Sequence, residues 1–386
     1  MIITSKYGEV IIYAQTVEQD AIGQIIEMSN SPLGENANIR IMPDCHAGAG
    51  CVIGTTMRIT DKACPNLVGV DIGCGVDLVK TDIDFRARAQ ELDDVIRKFV
   101  PFGMATHKYV KPYDFTALRC YKALDKKTIA RAMVSLGTLG GGNHFIEAYD
   151  GGYLAVHSGS RNIGARIAEY YQDLAEKRLV AVECDKRKAE LAKIPPTERE
   201  KWLKSNKIEI KRELCYLTGA DLDDYLHDIE IMQAFAAANR NAMLTAIVSR
   251  MGGSIGEHIS SVHNYIDTKN MILRKGAISA QKGEILVIPM NMRDGMLICR
   301  GKGNPDWNFS APHGAGRLYS RGKAKKLFSV DDYRNEMQGI YSSCICAGTL
   351  DEAPFAYKSF EEIMTCVEPT VEILDRLIPV FNFKGF

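Results

Sequence analysis

Two regions of short β-prone runs enclose a long helical one. That order constrains the fold more than any other feature of this 386-residue sequence. Before residue 165, EVIIYA, ANIRIMP, CVIGTTMRI and GVDLVKTDI alternate or cluster β-branched residues, as strands do. SPLGEN and DKACPN supply turn signals between them. RARAQELDDVIRKFV has apolar residues at helical spacing and predicts a helix. The character changes over 165–255. ARIAEYYQDLAEKRLVAVECDKRKAELAKI is charged and helical, and the prolines of PPTEREKWL are placed to start a new helix. DLDDYLHDIEIMQAFAAANRNAMLTAIVSRM is a long helical run with few breakers. From residue 256 mixed short strands and loops return. No internal repeat or low-complexity linker divides the chain. The pattern predicts an α+β fold in a single large domain over 1–386, with mixed short strands around the site and a helical insertion at about 165–255.

Composition removes several function classes. Hydrophobic residues make up 46% and charged residues 25%, too apolar and too balanced for a disordered chain. The 48 Lys+Arg cancel the 48 Asp+Glu, so no diffuse basic field exists to bind nucleic acid at long range. MIITSKYGEV has no apolar signal core, and no run reaches the roughly 18–20 apolar residues of a membrane span. These features lead us to expect a cytoplasmic protein with no membrane attachment. Eleven scattered cysteines without a CxxC do not read as a secreted disulfide framework; most should be buried small hydrophobes.

The eight histidines are distributed differently. Four lie in runs rich in Gly, Ser and Asn: His144 in LGGGNHFIE, His157 in AVHSGSRNIG, His263 in SSVHNYI and His313 in SAPHGAGR. A fifth, His46, lies in MPDCHAGAG. Small neighbours let backbone or a ligand come close, as a metal or phosphate site requires. One such histidine is ordinarily a satisfied core or loop residue, but four repetitions of the context point to a shared site. VGVDIGCGVDL adds Asp71 and Cys74, a carboxylate and a thiol three apart on one turn. By themselves they could equally be a turn cap and a buried thiol. With the imidazoles they form a mixed S/N/O set, and carboxylate with imidazole suits Mn or Zn. The GTLGGGNHF run could present backbone N–H groups to an anion. A Walker A loop is absent, and GAGCVIG is only a weak fragment of a dinucleotide fingerprint. Arg161 and Arg317 each follow a histidine by four residues, and RKGAIS adds Arg274 and Lys275. Such cations bind phosphate or, equally, form exposed ion pairs.

Taken together these motifs resemble the RtcB family of RNA ligases. The resemblance runs from IRIMPDCHAGAG through VGVDIGCGV, SLGTLGGGNHFIE, AVHSGSRNIG, YLHDIEIMQAFAAANR, VHNYI, RKGA, HGAGR and DEAPFAYK to the terminal FKG. It implies GTP-dependent joining of RNA 3′-phosphate or 2′,3′-cyclic phosphate ends to 5′-hydroxyl ends, in RNA repair or tRNA splicing, with two Mn²⁺ ions and GTP as cofactors. It implies that His313 takes GMP from GTP through a phosphoramidate and passes it to the RNA 3′-phosphate. The 5′-hydroxyl then attacks and GMP leaves; a cyclic phosphate is opened first by hydrolysis. The metal ligands implied are Asp71, Cys74, His144, His157 and His263, with Cys74 bridging. Asn143 and Asn264 are expected at the phosphate or RNA end. Glu147, Tyr357 and Lys384 are expected at the guanine, and Arg161, Lys275 and Arg317 at RNA phosphates. Asp44 is the candidate to orient His313, since a carboxylate accepting from one ring nitrogen fixes the tautomer that exposes the other. A monomer is expected, and an activating partner such as archease is compatible with the resemblance.

The chain departs from the family pattern at three places. Pro289-Met290-Asn291-Met292-Arg293-Asp294-Gly295 replaces the usual Gly-Ser-Met-Gly, which bears on guanine selectivity. Residue 45 is Cys and residue 47 Ala, and Phe386 follows the terminal Lys-Gly. The short length and altered loop suggest a divergent bacterial subgroup. The competing reading is a metal-dependent RNA-end phosphoesterase that has lost guanylylation. It needs the same Asp/Cys/His cluster but not His313. A non-catalytic RNA-binding or metal-storing protein is the third reading. It leaves clustered polar side chains without a ligand to justify their burial.

Overall fold

A computed structural model describes residues 1–385; Phe386 lies outside the described residues. The chain folds as α+β, with helices and strands in several sheets. The β-prone runs form strands close to where the sequence places them: Gly8–Ile12, Arg40–His46, Ile53–Arg58 and Gly75–Thr81. RARAQELDDVIRKFV forms the helix Ala89–Phe99.

Two sheets position the site. The first has five strands in the order Ile255–Val262, Gly75–Thr81, Tyr153–Ser158, Phe145–Tyr149 and Pro379–Lys384, every neighbour antiparallel. Antiparallel order brings the starts of some strands beside the ends of others. Gly75 therefore pairs with Ser158 and Val262, and Phe145 with His157 and Lys384, all at one edge of the sheet. The second sheet has six strands, of which Arg40–His46, Ile53–Arg58, Ile272–Lys275 and Asn264–Asp267 are consecutive neighbours. Asn264 follows directly on His263, so the second sheet begins where the first ends. The short pair Ala277–Ser279 and Ser310–Pro312 carries the chain up to His313.

The helical stretch comprises Arg161–Leu191, Arg199–Ser205 and Gly219–Arg250. In Arg161–Leu191 the buried residues all lie between Ile163 and Ala175, and the later turns are solvated. Gly219–Arg250 buries one face from Leu222 to Val248 and serves two cores. Tyr225, Ile229, Met232 and Phe235 pack with Ile167, Tyr171 and Phe115, while Met243, Leu244, Ile247 and Val248 pack with Val79, Val156 and Ile96. Its buried residues recur every three or four positions, as in Leu222, Tyr225, Ile229, Met232 and Ala236, the stripe of an amphipathic helix, while Asp223, Glu230, Asn241 and Thr245 face solvent. The stretch read as an insertion thus includes a helix that holds the five-stranded sheet. No helix among the described residues is long and apolar enough to cross a membrane.

Candidate metal centre and adjoining pocket

The five expected ligands come together at the shared sheet edge. Asp71 and Cys74 occupy a turn closed by a hydrogen bond from Cys74 N–H to the Asp71 carbonyl, 3.1 Å, immediately before Gly75–Thr81. His144 precedes the strand Phe145–Tyr149, His157 lies near the end of Tyr153–Ser158, and His263 follows Ile255–Val262. Cys74 Sγ is 3.5 Å from His144 Nε2 and 3.3 Å from His157 Nε2. His144 Nε2 is 3.0 Å from Asp71 Oδ2, and His157 Nε2 is 3.3 Å from His263 Nε2. Cys74 and the three histidines are buried.

The other ring nitrogens show what this arrangement suits. His144 Nδ1 lies 2.7 Å from the Leu139 carbonyl, and His157 Nδ1 lies 3.2 Å from the Asn143 carbonyl. A carbonyl only accepts, so both Nδ1 atoms carry a proton; Nε2 of neutral His157 is left with a lone pair, and Nε2 of His144 donates to Asp71 and would offer its lone pair once a metal displaced that proton. Metal-binding imidazoles are commonly oriented in this way. Burial pulls His157 and His263 well below the usual histidine range, and neighbouring imidazoles push the same way, so both are neutral at pH 7. Burial would raise Asp71, but the hydrogen bond and charge of His144, with Arg161, hold it down at about 2. Burial and the Asp71 charge push the Cys74 thiol well above its ordinary value. A carboxylate, a thiol and imidazoles face one another at about 3–3.5 Å, a donor set that one cation could join. The donor set fits a divalent transition metal, with the ligand atoms of Cys74, His144 and His157 all within 4.8 Å of one another.

The supports come from the core helix, and the sequence reading did not assign them. Asn239 Oδ1 accepts from the backbone N–H groups of Gly137 and Thr138 at 2.7 and 3.0 Å. Its Nδ2 donates to Thr138 O and Gly159 O, 3.1 Å each. Arg240, fully buried, donates through Nη1 to Gly73 O at 2.8 Å and Ser158 O at 3.1 Å, and its Nε is 2.9 Å from Asp77 Oδ1. Two adjacent helix residues thus hold the loops of His144 and His157 and the turn of Cys74. The AANR run was visible in the sequence as the end of the motif YLHDIEIMQAFAAANR, but without a role for either residue.

Beside the ligands lies a cavity of about 700 Å³, lined by His157, His263, His313, Asn143, Asn264, Glu147, Lys275, Arg317, Tyr357 and Lys384. Asp44, Asp71, Cys74, His144 and Arg161 are not among its lining residues. The rings of His263 and His313 are 5.0 Å apart, so the metal set passes directly into the pocket. His313 follows Ser310–Pro312, and its backbone N–H donates to Asp44 Oδ2 at 3.1 Å. The same oxygen is 2.6 Å from His313 Nδ1, an ion-pair distance without hydrogen-bond alignment. Gly316 makes the approach feasible. Its φ is +71°, and a Cβ there would meet the Asp44 carbonyl oxygen at 2.6 Å. His46 also faces the cavity. Its Nδ1 is 3.0 Å from the Asp44 carbonyl, and burial lowers its pKa to about 4.

The far side of the cavity is built on Glu352, which the sequence reading passed over within DEAPFAYK. Tyr357 Oη donates to Glu352 Oε2 at 2.7 Å, and Lys384 Nζ is 3.4 Å from that oxygen. Arg317 Nη1 and Arg321 Nη1 lie 3.2 and 2.6 Å from Oε1. Burial alone would raise Glu352, but Lys384, Arg321 and Arg317 outweigh it and hold the carboxyl below its ordinary value. Glu147 is buried with both oxygens engaged: Tyr149 Oη donates to one at 2.6 Å, and Asn382 Nδ2 donates to the other. Burial raises its pKa.

The expected phosphate-binding cations differ from solvated ones. Lys275 is buried, with Nζ 2.7 Å from Cys51 Sγ and 3.0 Å from Asn66 O. Arg317 donates to Tyr319 O, Asp351 O and Glu352, and stacks over Tyr357 at 5.3 Å. Arg161 donates from Nε to Thr138 Oγ1 at 3.2 Å. The departing loop 289–295 is a hairpin turn between Ile285–Asn291 and Gly295–Gly301, closed by Asn291 and Asp294. Pro289, Met290, Asn291 and Met292 border the cavity, so this loop presents a more apolar wall than Gly and Ser would.

Comparison with known proteins shows the family. The family model described as tRNA-splicing ligase RtcB matches residues 24–123 and 116–385. The chain is 33% identical to RNA-splicing ligase RtcB1 of Escherichia coli, over 96% of this chain and 95% of that one. It is 32% identical to RNA-splicing ligase RtcB of Escherichia coli strain K12, with the same coverage. It is 26% identical to tRNA-splicing ligase RtcB of Thermococcus kodakarensis, over 89% of this chain and 87% of that one. With the motifs, the sheet-edge ligand cluster and these full-length matches in agreement, the chain belongs to the RtcB family.

Proposed function

We propose that this chain is a cytoplasmic, GTP-dependent RNA ligase. It would join RNA 3′-phosphate or 2′,3′-cyclic phosphate ends to 5′-hydroxyl ends. The observation that carries this reading is His313, one ring away from His263, held by Asp44 and facing the same cavity as the metal-ligand histidines. Asp71, Cys74, His144, His157 and His263 would hold two Mn²⁺ ions, and the bound ions would supply positive charge to the phosphates being transferred.

Asp44 favours the tautomer with the proton on Nδ1 and leaves the His313 Nε2 lone pair as nucleophile. Nε2 attacks the α-phosphorus of GTP, a P–N bond forms and pyrophosphate leaves with the electron pair of the broken P–O bond. An oxygen of the RNA 3′-phosphate then attacks the same phosphorus and frees His313. Attack by the 5′-hydroxyl on the activated RNA phosphate joins the strands and releases GMP. Asn143 and Asn264 line the cavity next to the ligands and would orient the phosphates. Tyr357 and Lys384, fixed by Glu352, would meet the base together with Glu147.

The test is incubation with Mn²⁺ and labelled GTP, followed by acid and base. An acid-labile, base-stable GMP adduct is expected, and it should be absent in His313→Ala. Lack of any adduct with every divalent metal tried, alongside hydrolysis of RNA cyclic phosphates, would instead identify a phosphoesterase.

A further inference from the structure

The charge of this chain is balanced overall but not locally. Residues 101–133 hold seven Lys and Arg against two carboxylates. Both carboxylates are engaged nearby. Asp114 accepts from the Thr116 backbone N–H and hydroxyl at 2.8 and 2.7 Å, and Asp125 caps the helix Lys126–Met133 through Thr128 N–H at 2.7 Å. Arg119 pairs with Asp224 at 3.7 Å, whereas Lys108, Lys111 and Arg131 have no ion-pair partner among the described residues. Within this patch Tyr109 is 57% exposed. Its ring centroid lies 5.1 Å from that of His107 and 5.8 Å from Lys111 Nζ.

The patch is fixed to the loop of the metal ligands. Gly103 N–H donates to Gly140 O at 2.8 Å, and His107 Nε2 donates to Gly137 O at 3.1 Å. His107 N–H and Lys111 N–H each donate at 2.9 Å to carbonyls at the end of the helix Lys126–Met133 and just beyond. Gly140, at φ +82°, leaves room on its other side for Arg161, whose Nη2 a Cβ there would meet at 2.1 Å. Arg131 is close enough to Arg161 for the two charges to oppose each other. Cations therefore run from the exposed Tyr109 tip, across the glycine loop, to the ligands Asp71 and His144.

We infer that segment 103–113, with Arg131, is a docking surface for single-stranded RNA leading into the metal centre. Tyr109 would stack on an unpaired base, and Lys108, Lys111 and Arg131 would contact phosphates. The inference rests on the RNA-ligase reading and adds where the strand lies. An exposed ring among unpaired cations suits single strands, because a base within a duplex has no free face to offer.

The test uses the full-length Mn²⁺-loaded chain and a fluorescein-labelled single-stranded RNA bearing a 3′-phosphate, with binding followed by anisotropy across salt. Tyr109→Ala should weaken binding about tenfold and Tyr109→Phe hardly at all. Lys108→Ala with Lys111→Ala should lower the slope of log K against log salt by about 1.4, from ~0.7 per phosphate contact. Formation of the GMP adduct should match the unmodified chain in all of these variants, which also verifies folding. A blunt duplex should be insensitive to Tyr109→Ala. Single-strand binding and joining unaffected by both alanine variants would overturn the surface while leaving the ligase reading intact. Failure of the unmodified chain to bind or join any RNA would remove both.

Discussion

At the residue scale, Cys74 decides the most. Its Sγ lies 3.5 and 3.3 Å from two imidazole nitrogens, and its thiol is buried among groups that raise its pKa. A thiol in such surroundings stays protonated unless a cation takes the proton's place. Cys74→Ala should therefore reduce bound Mn²⁺ from near two per chain to well under one, measured by elemental analysis after gel filtration. The small, buried substitution should cost only about 1 kcal/mol of stability. Retention of both ions would show that the cysteine is not shared. This part of the site was legible in the sequence because its histidines sit in small-residue runs that are unusual for surface or core. Lys275 and Arg317 were less legible. Their spacing left phosphate binding and exposed ion pairs equally open, and it did not show the tertiary contacts to Cys51, Asn66 and Glu352 that hold them. Pairing between residues more than 30 apart leaves no local pattern to read.

At the scale of elements, the helix Gly219–Arg250 does two jobs: it fills two hydrophobic cores, and through Asn239 and Arg240 it holds the ligand loops. Arg240 is fully buried beside Asp77, which also accepts from Ser260 Oγ at 2.6 Å and lies 3.4 Å from His258 Nε2. Removing one partner of a buried pair costs more than the pair itself contributes, because the remaining charge has nothing to balance it. Arg240→Met should destabilise the fold by about 3–5 kcal/mol, seen as a lower denaturant midpoint. Asp77→Asn added to it should recover part of that loss. A midpoint unchanged in the single variant would mean that Ser260 and His258 suffice for Asp77. The existence of this helix follows from its apolar periodicity. Its role does not, since Asn239 and Arg240 lie on the buried stripe and nothing local in the sequence shows which distant backbone groups they meet.

At the scale of the whole molecule, distant parts of the chain meet to make the pocket. Asp44 from the amino-terminal third reaches His313, and Pro379–Lys384 near the other end pairs with Phe145–Tyr149. The fold class was readable from the run of element types, but the strand partners were not, because cross-strand contacts depend on a long return of the chain. Behind the pocket Glu352 gathers four of its neighbours, since Arg317, Arg321, Tyr357 and Lys384 all converge on it. Its carboxyl is held below the ordinary value. A depressed carboxyl contributes stability above its unfolded pKa, about 4.3, and loses it as pH falls through the folded value. Glu352→Gln should thus destabilise the protein by about 3 kcal/mol at pH 7 and flatten the acid limb of stability below about pH 4. Because Tyr357 and Lys384 lose their anchor while Cys74 and the histidines keep theirs, the GTP concentration for half-maximal GMP adduct should rise about tenfold, with Mn²⁺ content unchanged. Equal GTP dependence in Glu352→Gln and the unmodified chain would mean that Tyr357 and Lys384 are positioned by packing alone, and would leave Glu352 with a role in stability only.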